Sequence, residues 1–155
     1  MIYVPDWLQV FFASLLPFFE LRLSIPLGVL HLDMPWPEVF LISVIGNIIP
    51  VPFILKLFNP VETFLRRWRS WDKLFTWLFA RTRRKTEKKI ERWEVMGLIM
   101  FVAIPLPVTG AWTGSLAAYI FDLDFKKSIF YIFIGIVIAG AIVTTAVAAG
   151  INWFL

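Results

Sequence analysis

Residues 95–121 read VMGLIMFVAIPLPVTGAWTGSLAAYIF, twenty-seven residues without a single charge. The length is ample for a membrane crossing, since about 20 apolar residues cover a hydrocarbon core of about 30 Å. The middle forbids a plain crossing. Pro105 and Pro107 remove backbone donors and clash with the preceding turn, and Thr109 and Gly110 follow at once, so the spacing predicts helix, break, helix. From Val95 to Ile104 is about ten residues, a helical rise of roughly 15 Å, which reaches the middle of a bilayer and not its far face. This tract therefore reads as entering the membrane and returning on the same side.

Three further apolar tracts surround it, over 7–30, 39–58 and 128–155. The tract over 7–30 is interrupted in the same manner by Pro17, Glu20, Arg22 and Pro26, whereas 39–58 and 128–155 read as smoother spans. Hydrophobic residues make up 59% of the 155 and mean hydropathy is +0.78, more apolar surface than so short a chain could hide from water. The expectation is an all-α integral membrane protein lodged in the cell membrane as a multi-pass chain. No Lys or Arg precedes Arg22, so a cleaved signal is not expected.

Charge organises the rest. Residues 59–94 hold eleven of the fifteen Lys and Arg, twelve with Lys56 at the edge, which by the positive-inside rule makes this linker cytoplasmic. Val61, Phe64, Leu65, Trp68, Leu74, Phe75, Leu78 and Phe79 recur at helical spacing opposite basic residues, the pattern of a helix lying at anionic lipid headgroups. The stretch 81–94 reads as a solvated charged helix or loop. Interleaved Trp and basic residues are also seen in nucleic-acid binders, but topology and anionic lipid account for the charge and no nucleic acid is expected as a partner.

The halves on either side share a layout: broken tract, short joint containing Leu32-Asp33 or Leu123-Asp124, then a smoother span. Four full crossings with a cytoplasmic linker would put Lys126 and Lys127 outside. Re-entrant broken tracts put both lysines inside and the two termini, which carry no Lys or Arg, outside. The sequence thus predicts two inverted half-repeats, 1–58 and 95–155, each a re-entrant hairpin plus a span, joined by the linker 59–94. Four plain crossings are the alternative.

"ELRLSIPLG" over 20–28, "GNIIPVP" over 46–52 and "PLPVTGAWTG" over 105–114 resemble the small multidrug export protein family, in order and across nearly the whole chain. That resemblance implies a small polytopic exporter and no particular substrate. A more distant similarity is to the DedA-type membrane proteins, which look like inverted repeats with re-entrant loops and are associated with moving polyprenyl-phosphate or other lipids. Here the second break carries no arginine beside its prolines, so a phosphate site is not expected there.

Glu20 is the leading site residue, because an ionised group inside lipid costs about 2.5–3.5 kcal/mol or more unless paired or neutralised. It could take up a proton or a cation, with Arg22 reading an anionic headgroup; alternatively the two form an internal ion pair. Residues two apart on a helix do not face each other, so such a pair needs the break. Pro26, Gly28, Pro105, Pro107, Thr109, Gly110 and Thr113, with Gly114, are expected to form the tips, where unpaired backbone groups bind ions. Asn47 either lines the same cavity or bonds across helices.

Gly135, Ala139, Gly140, Thr144 and Ala148 read as packing residues between helices or in a homodimer. Trp7, Trp36, Trp93, Trp112 and Trp153 fall where an aromatic belt would lie. With no cysteine, one histidine, no triad and no phosphate-cradling loop, the sequence points away from an enzyme, a metal site and a bound cofactor. An ion-coupled exporter of small molecules is the lead reading. A lipid or isoprenoid-phosphate translocase, and a non-transporting scaffold that recruits a partner through its linker, are the alternatives.

Overall fold

The computed structural model describes residues 4–83, 91–106 and 109–150, and its regular elements are all helical. The first tract gives α1 (Asp6–Leu15) and α2 (Glu20–Pro26), the latter continuing as a wider π-type turn over Leu27–His31. The chain breaks over 16–19, around Pro17. Pro26 does not break it: without an amide to close the next turn, the helix widens instead.

The second tract forms α3 (Trp36–Ile48) and α4 (Pro50–Leu65), which together make one helical rod of 30 residues with a single irregular residue at Ile49. The span expected to close at Phe58 runs seven residues further, through Pro60. In the linker, α5 (Arg69–Arg83) is a separate helix, with Trp71, Leu74 and Trp77 about half exposed. The charged stretch 84–90 lies outside the described residues.

The third tract forms α6 (Glu91–Ala103) and α7 (Ala111–Ile120), parted over 104–110 where the proline and glycine signals stand. The last forms α8 (Phe125–Ala148), capped by Asp124, whose carboxylate accepts from the amides of Lys126 and Lys127 at 3.0 Å. The rod over 36–65 and α8 are both long and apolar enough to cross a membrane, with mean hydropathies of 2.0 and 2.4.

Polarity is arranged for lipid. Phe12, Phe53 and Phe130 are more than half exposed, while Ser14, Ser24, Ser43, Ser115 and Ser128 are fully buried. Small hydroxyl residues allow close helix approach and close their own bonds: Ser24 Oγ donates to Ser43 Oγ at 2.8 Å, and Ser115 Oγ to the Ala111 carbonyl at 2.7 Å. Glycines act likewise. A Cβ on Gly140 would stand 2.8 Å from the Phe40 ring, and one on Gly114 2.5 Å from Val102.

The halves use matching contacts. Helix α1 packs on α3 as α6 packs on α8, and α2 packs on α8 as α7 packs on α4. At the first of these crossings Gly46 faces Ser14 and the Phe11 carbonyl, where a Cβ would be 3.0 Å from that oxygen. At its counterpart Gly135 faces Val102 and the Ile99 carbonyl, at 3.1 Å.

The joints correspond too, in a different register from the one the repeated Leu-Asp pair suggests. Asp33 (φ 50°) and Asp122 (φ 56°) share the left-handed conformation, and the residues that begin the spans, Pro35 (φ −57°, ψ 128°) and Asp124 (φ −55°, ψ 135°), share an extended one. One sequence separation relates Asp33 to Asp122, Pro35 to Asp124 and Gly46 to Gly135. The repeated Leu-Asp pair thus does not share a conformation: Asp33 is left-handed and Asp124 extended.

Candidate functional site

Breaking a helix inside lipid leaves amides and carbonyls without partners, each costing several kcal/mol unless satisfied. In this protein the charges of one broken tract satisfy the backbone of the other. Glu20 is 6% exposed and Arg22 8%, yet no ion pair joins them. The Glu20 carboxylate turns to the start of α7, where its Oε1 accepts from the Trp112 amide at 3.3 Å. An anion at a helix N-terminus meets both unpaired donors and the positive end of the helix dipole.

Gly110 makes this approach possible. Its φ of 145° belongs to glycine, and a Cβ there would overlap the Glu20 carboxylate, with 2.6 Å to Cδ. Glu20 itself sits at φ 46°, so the residue that leaves the first break takes a strained backbone to reach the second.

Arg22, two positions on, reaches the other side of the same break. Its Nη2 donates to the Thr109 carbonyl and to Thr109 Oγ1, the latter at 2.9 Å. Thr109 Oγ1 in turn donates to the Ile104 carbonyl at 2.7 Å and accepts from the Leu106 amide at 3.1 Å, which folds the break onto itself. A cation thus holds the carbonyl side of the break and an anion holds its amide side.

Trp112 adds a third tie, its indole Nε1 donating to the Leu15 carbonyl at 3.1 Å, the free end of α1. The ring thus lies at the junction of the two breaks. The far end of α7 is fastened as well. Tyr119 donates its hydroxyl to Glu62 Oε2, Glu62 Oε1 accepts from Arg66 Nε at 2.6 Å, and the Tyr119 ring stacks on Phe58.

Between the breaks lies a cavity of about 10 Å³, room for roughly one water. Glu20, Arg22, Asn47, Pro105 and Gly110 line it, with the apolar faces of α6 and α8 behind. Asn47 is 1% exposed, and its Oδ1 has no hydrogen-bond partner.

Of the expected site residues, Glu20, Arg22, Asn47, Pro105, Thr109 and Gly110 meet here. Thr113 stands one turn into α7, its hydroxyl 3.4 Å from the Gly110 carbonyl. Pro107 lies outside the described residues. Pro26 and Gly28 are elsewhere. Pro26 borders an open apolar groove of about 520 Å³ on the outer face of α2, together with Phe19, Leu23 and His31, and Gly28 packs against Val39 and Val10. Both stand a full turn or more beyond the break that Pro17 makes, which is why they miss the tip.

An all-helical chain with two membrane-length helices, apolar side chains outside, hydroxyls inside and a buried charged junction between interrupted helices is a membrane protein. The chain belongs to the family described as "Putative small multi-drug export protein", whose model matches residues 20–142, a range that opens at Glu20, directly after the first break, and takes in the second. No curated protein and no solved structure matches it.

Proposed function

We propose that this protein is an ion-coupled exporter of small molecules, built as an inverted repeat whose two re-entrant breaks meet inside the membrane. The observation that carries this reading is the reciprocal pinning of the breaks: Glu20 on the amides of α7, Arg22 on the carbonyl of Thr109. A site that holds its own anion and cation is poised to exchange one of them, and Glu20 is the member that can be neutralised by a proton or a cation, since Arg stays charged. Loss of its charge releases the start of α7 and leaves Arg22 uncompensated, so occupancy and conformation change together.

The matched contacts of the halves support the inverted repeat, and its charge placement makes the linker 59–94 cytoplasmic, with α5 on anionic lipid. A homodimer fits so few spans, with no enzymatic step needed for the export itself. A lipid-phosphate translocase would need Arg22 free for a headgroup, and one end of its fork, Nη2, is engaged with Thr109.

The test is transport by purified protein in vesicles loaded in turn with cationic, neutral and anionic fluorescent dyes, under imposed proton, sodium and potassium gradients. Glu20→Gln keeps shape and hydrogen bonding but removes titration, so gradient-driven export should vanish while the protein inserts. Where that variant does not purify, Glu20→Gln with Arg22→Gln serves. Full gradient-driven transport by a folded protein lacking the Glu20 carboxylate would exclude the residue as the coupling group.

A further inference from the structure

Resting on the coupling role of Glu20, we infer that the ion taken up is a proton and that the Asn47 side-chain carbonyl is the acceptor built to receive it. The inference starts from an unmet need. Asn47 Oδ1 is buried in α3 with no donor, and such an orphan is destabilising unless some state of the protein satisfies it. The amide stands beside the Glu20 carboxylate on the wall of the same small cavity.

With Glu20 ionised neither neighbouring side chain donates to that carbonyl, because a carboxylate is acceptor-only and Arg22 Nη2 is turned to Thr109. When Glu20 takes a proton from hydronium, one O–H bond forms on the carboxylate as one breaks on the hydronium ion, a water molecule leaves, and the neutral acid has one hydrogen to donate. Asn47 Oδ1 answers that hydrogen. An amide carries a donor end and an acceptor end, so by turning about its last torsion Asn47 serves the carboxylate in one state and the acid in the other.

A metal cation fits poorly. Hard cations take about six oxygen ligands or more, and the cavity has room for roughly one water with two side chains offering oxygens, Glu20 and Asn47. The oxygens of Thr109 are occupied by Arg22. Arg22 is also the one charged group lining the cavity beside Glu20 among the described residues. The α6 and α8 walls present Val102, Ile136, Ala139 and Val143, and the α7 side presents Gly110 and Ala111. A second fixed cation would therefore meet the guanidinium with no further anion to offset it, whereas a proton neutralises Glu20 within a covalent bond.

The experiment uses the full chain in lipid bilayers with carbonyl-labelled asparagine. Replacing Asn59→Gln and Asn152→Gln leaves Asn47 as the sole asparagine, so no substitution touches the site. Infrared difference spectra are followed as the pH falls. The expected result is a carboxylic-acid band that is absent in Glu20→Gln, accompanied by a move of the labelled amide carbonyl to lower frequency with the same midpoint, and no change in either when sodium replaces a non-coordinating cation. An acid band that appears while the labelled carbonyl stays still overturns the role of Asn47. Suppression of the acid band by sodium overturns the choice of a proton. Absence of any Glu20-dependent acid band likewise overturns the choice of a proton, whereas the coupling role itself falls only if folded protein lacking the Glu20 carboxylate keeps full gradient-driven export, a different failure.

Discussion

Replacing Gly110 by alanine puts a methyl group where the Glu20 carboxylate sits. Two costs are separable. The backbone at φ 145°, ψ −163° is a region that side-chain-bearing residues avoid, which costs about 1–3 kcal/mol. The methyl also overlaps the carboxylate, and since that group ends a flexible side chain it can swing away, but only by leaving the Trp112 amide, a charge-assisted bond of about 1.5–3 kcal/mol. Gly110→Ala should therefore destabilise by about 2.5–6 kcal/mol in all. In a Glu20→Ala background there is no carboxylate to displace, so only the backbone part, about 1–3 kcal/mol, should remain. The cycle of the two single variants and the double, unfolded in mild detergent and read by tryptophan fluorescence, should thus show a coupling of about 1.5–3 kcal/mol. Additivity within about 0.5 kcal/mol would refute the seating of Glu20 against Gly110, because residues that do not touch behave that way.

Topology is open to direct labelling because the chain has no cysteine. Single cysteines at the exposed positions Ser70 and Lys126 should be modified from the same side and one at Ala149 from the opposite side. Modification of Ser70→Cys and Ala149→Cys from one side would remove the re-entrant arrangement in favour of four plain crossings. A peptide spanning residues 60–93 should become helical on anionic vesicles and leave them as salt rises, since each Lys or Arg near the surface contributes about 1 kcal/mol that screening weakens. A peptide that stays unstructured with anionic lipid would sink the headgroup role of α5.

Local signals in this sequence foretell local events. The break over 104–110 is written in Pro105 and Gly110, and the need to satisfy Glu20 is written in its apolar surroundings. Proline alone, however, does not say which of three outcomes follows: Pro17 parts two helices, Pro26 widens a turn, and Pro60 passes inside α4 without ending it. Those outcomes are set by what the freed backbone groups meet. What escapes a periodicity argument altogether is the long-range pairing. Trp112 meets Leu15 and Arg22 meets Thr109 across 97 and 87 residues, and no spacing rule reaches so far. The joint shows the same lesson at short range. Leu-Asp occurs twice, but the left-handed residues are Asp33 and Asp122, so identity of letters pointed two residues away from identity of conformation.

The division of labour between Glu20 and Arg22 leads to a prediction about charge balance. Both are buried and share a cavity, yet each is bonded to the opposite tract and not to its neighbour. Glu20→Gln strands a guanidinium that cannot shed its proton, and leaving a buried charge without its counter-charge costs about 3–5 kcal/mol. Arg22→Gln strands a carboxylate, which escapes by binding a proton, so its cost is the bonds to Thr109, about 1.5–3 kcal/mol for donors of this kind. The variant carrying both changes restores neutrality but not those bonds. It should recover most of what Glu20→Gln lost and stay about 1.5–3 kcal/mol below the parent protein. If the two residues served only to neutralise each other, the double variant would match the parent, and Arg22 would have no part in holding the second break. Unfolding free energies of the four proteins at one pH decide between these outcomes, and repeating them at lower pH should narrow the deficit of none but the variant that leaves Glu20 alone with its charge.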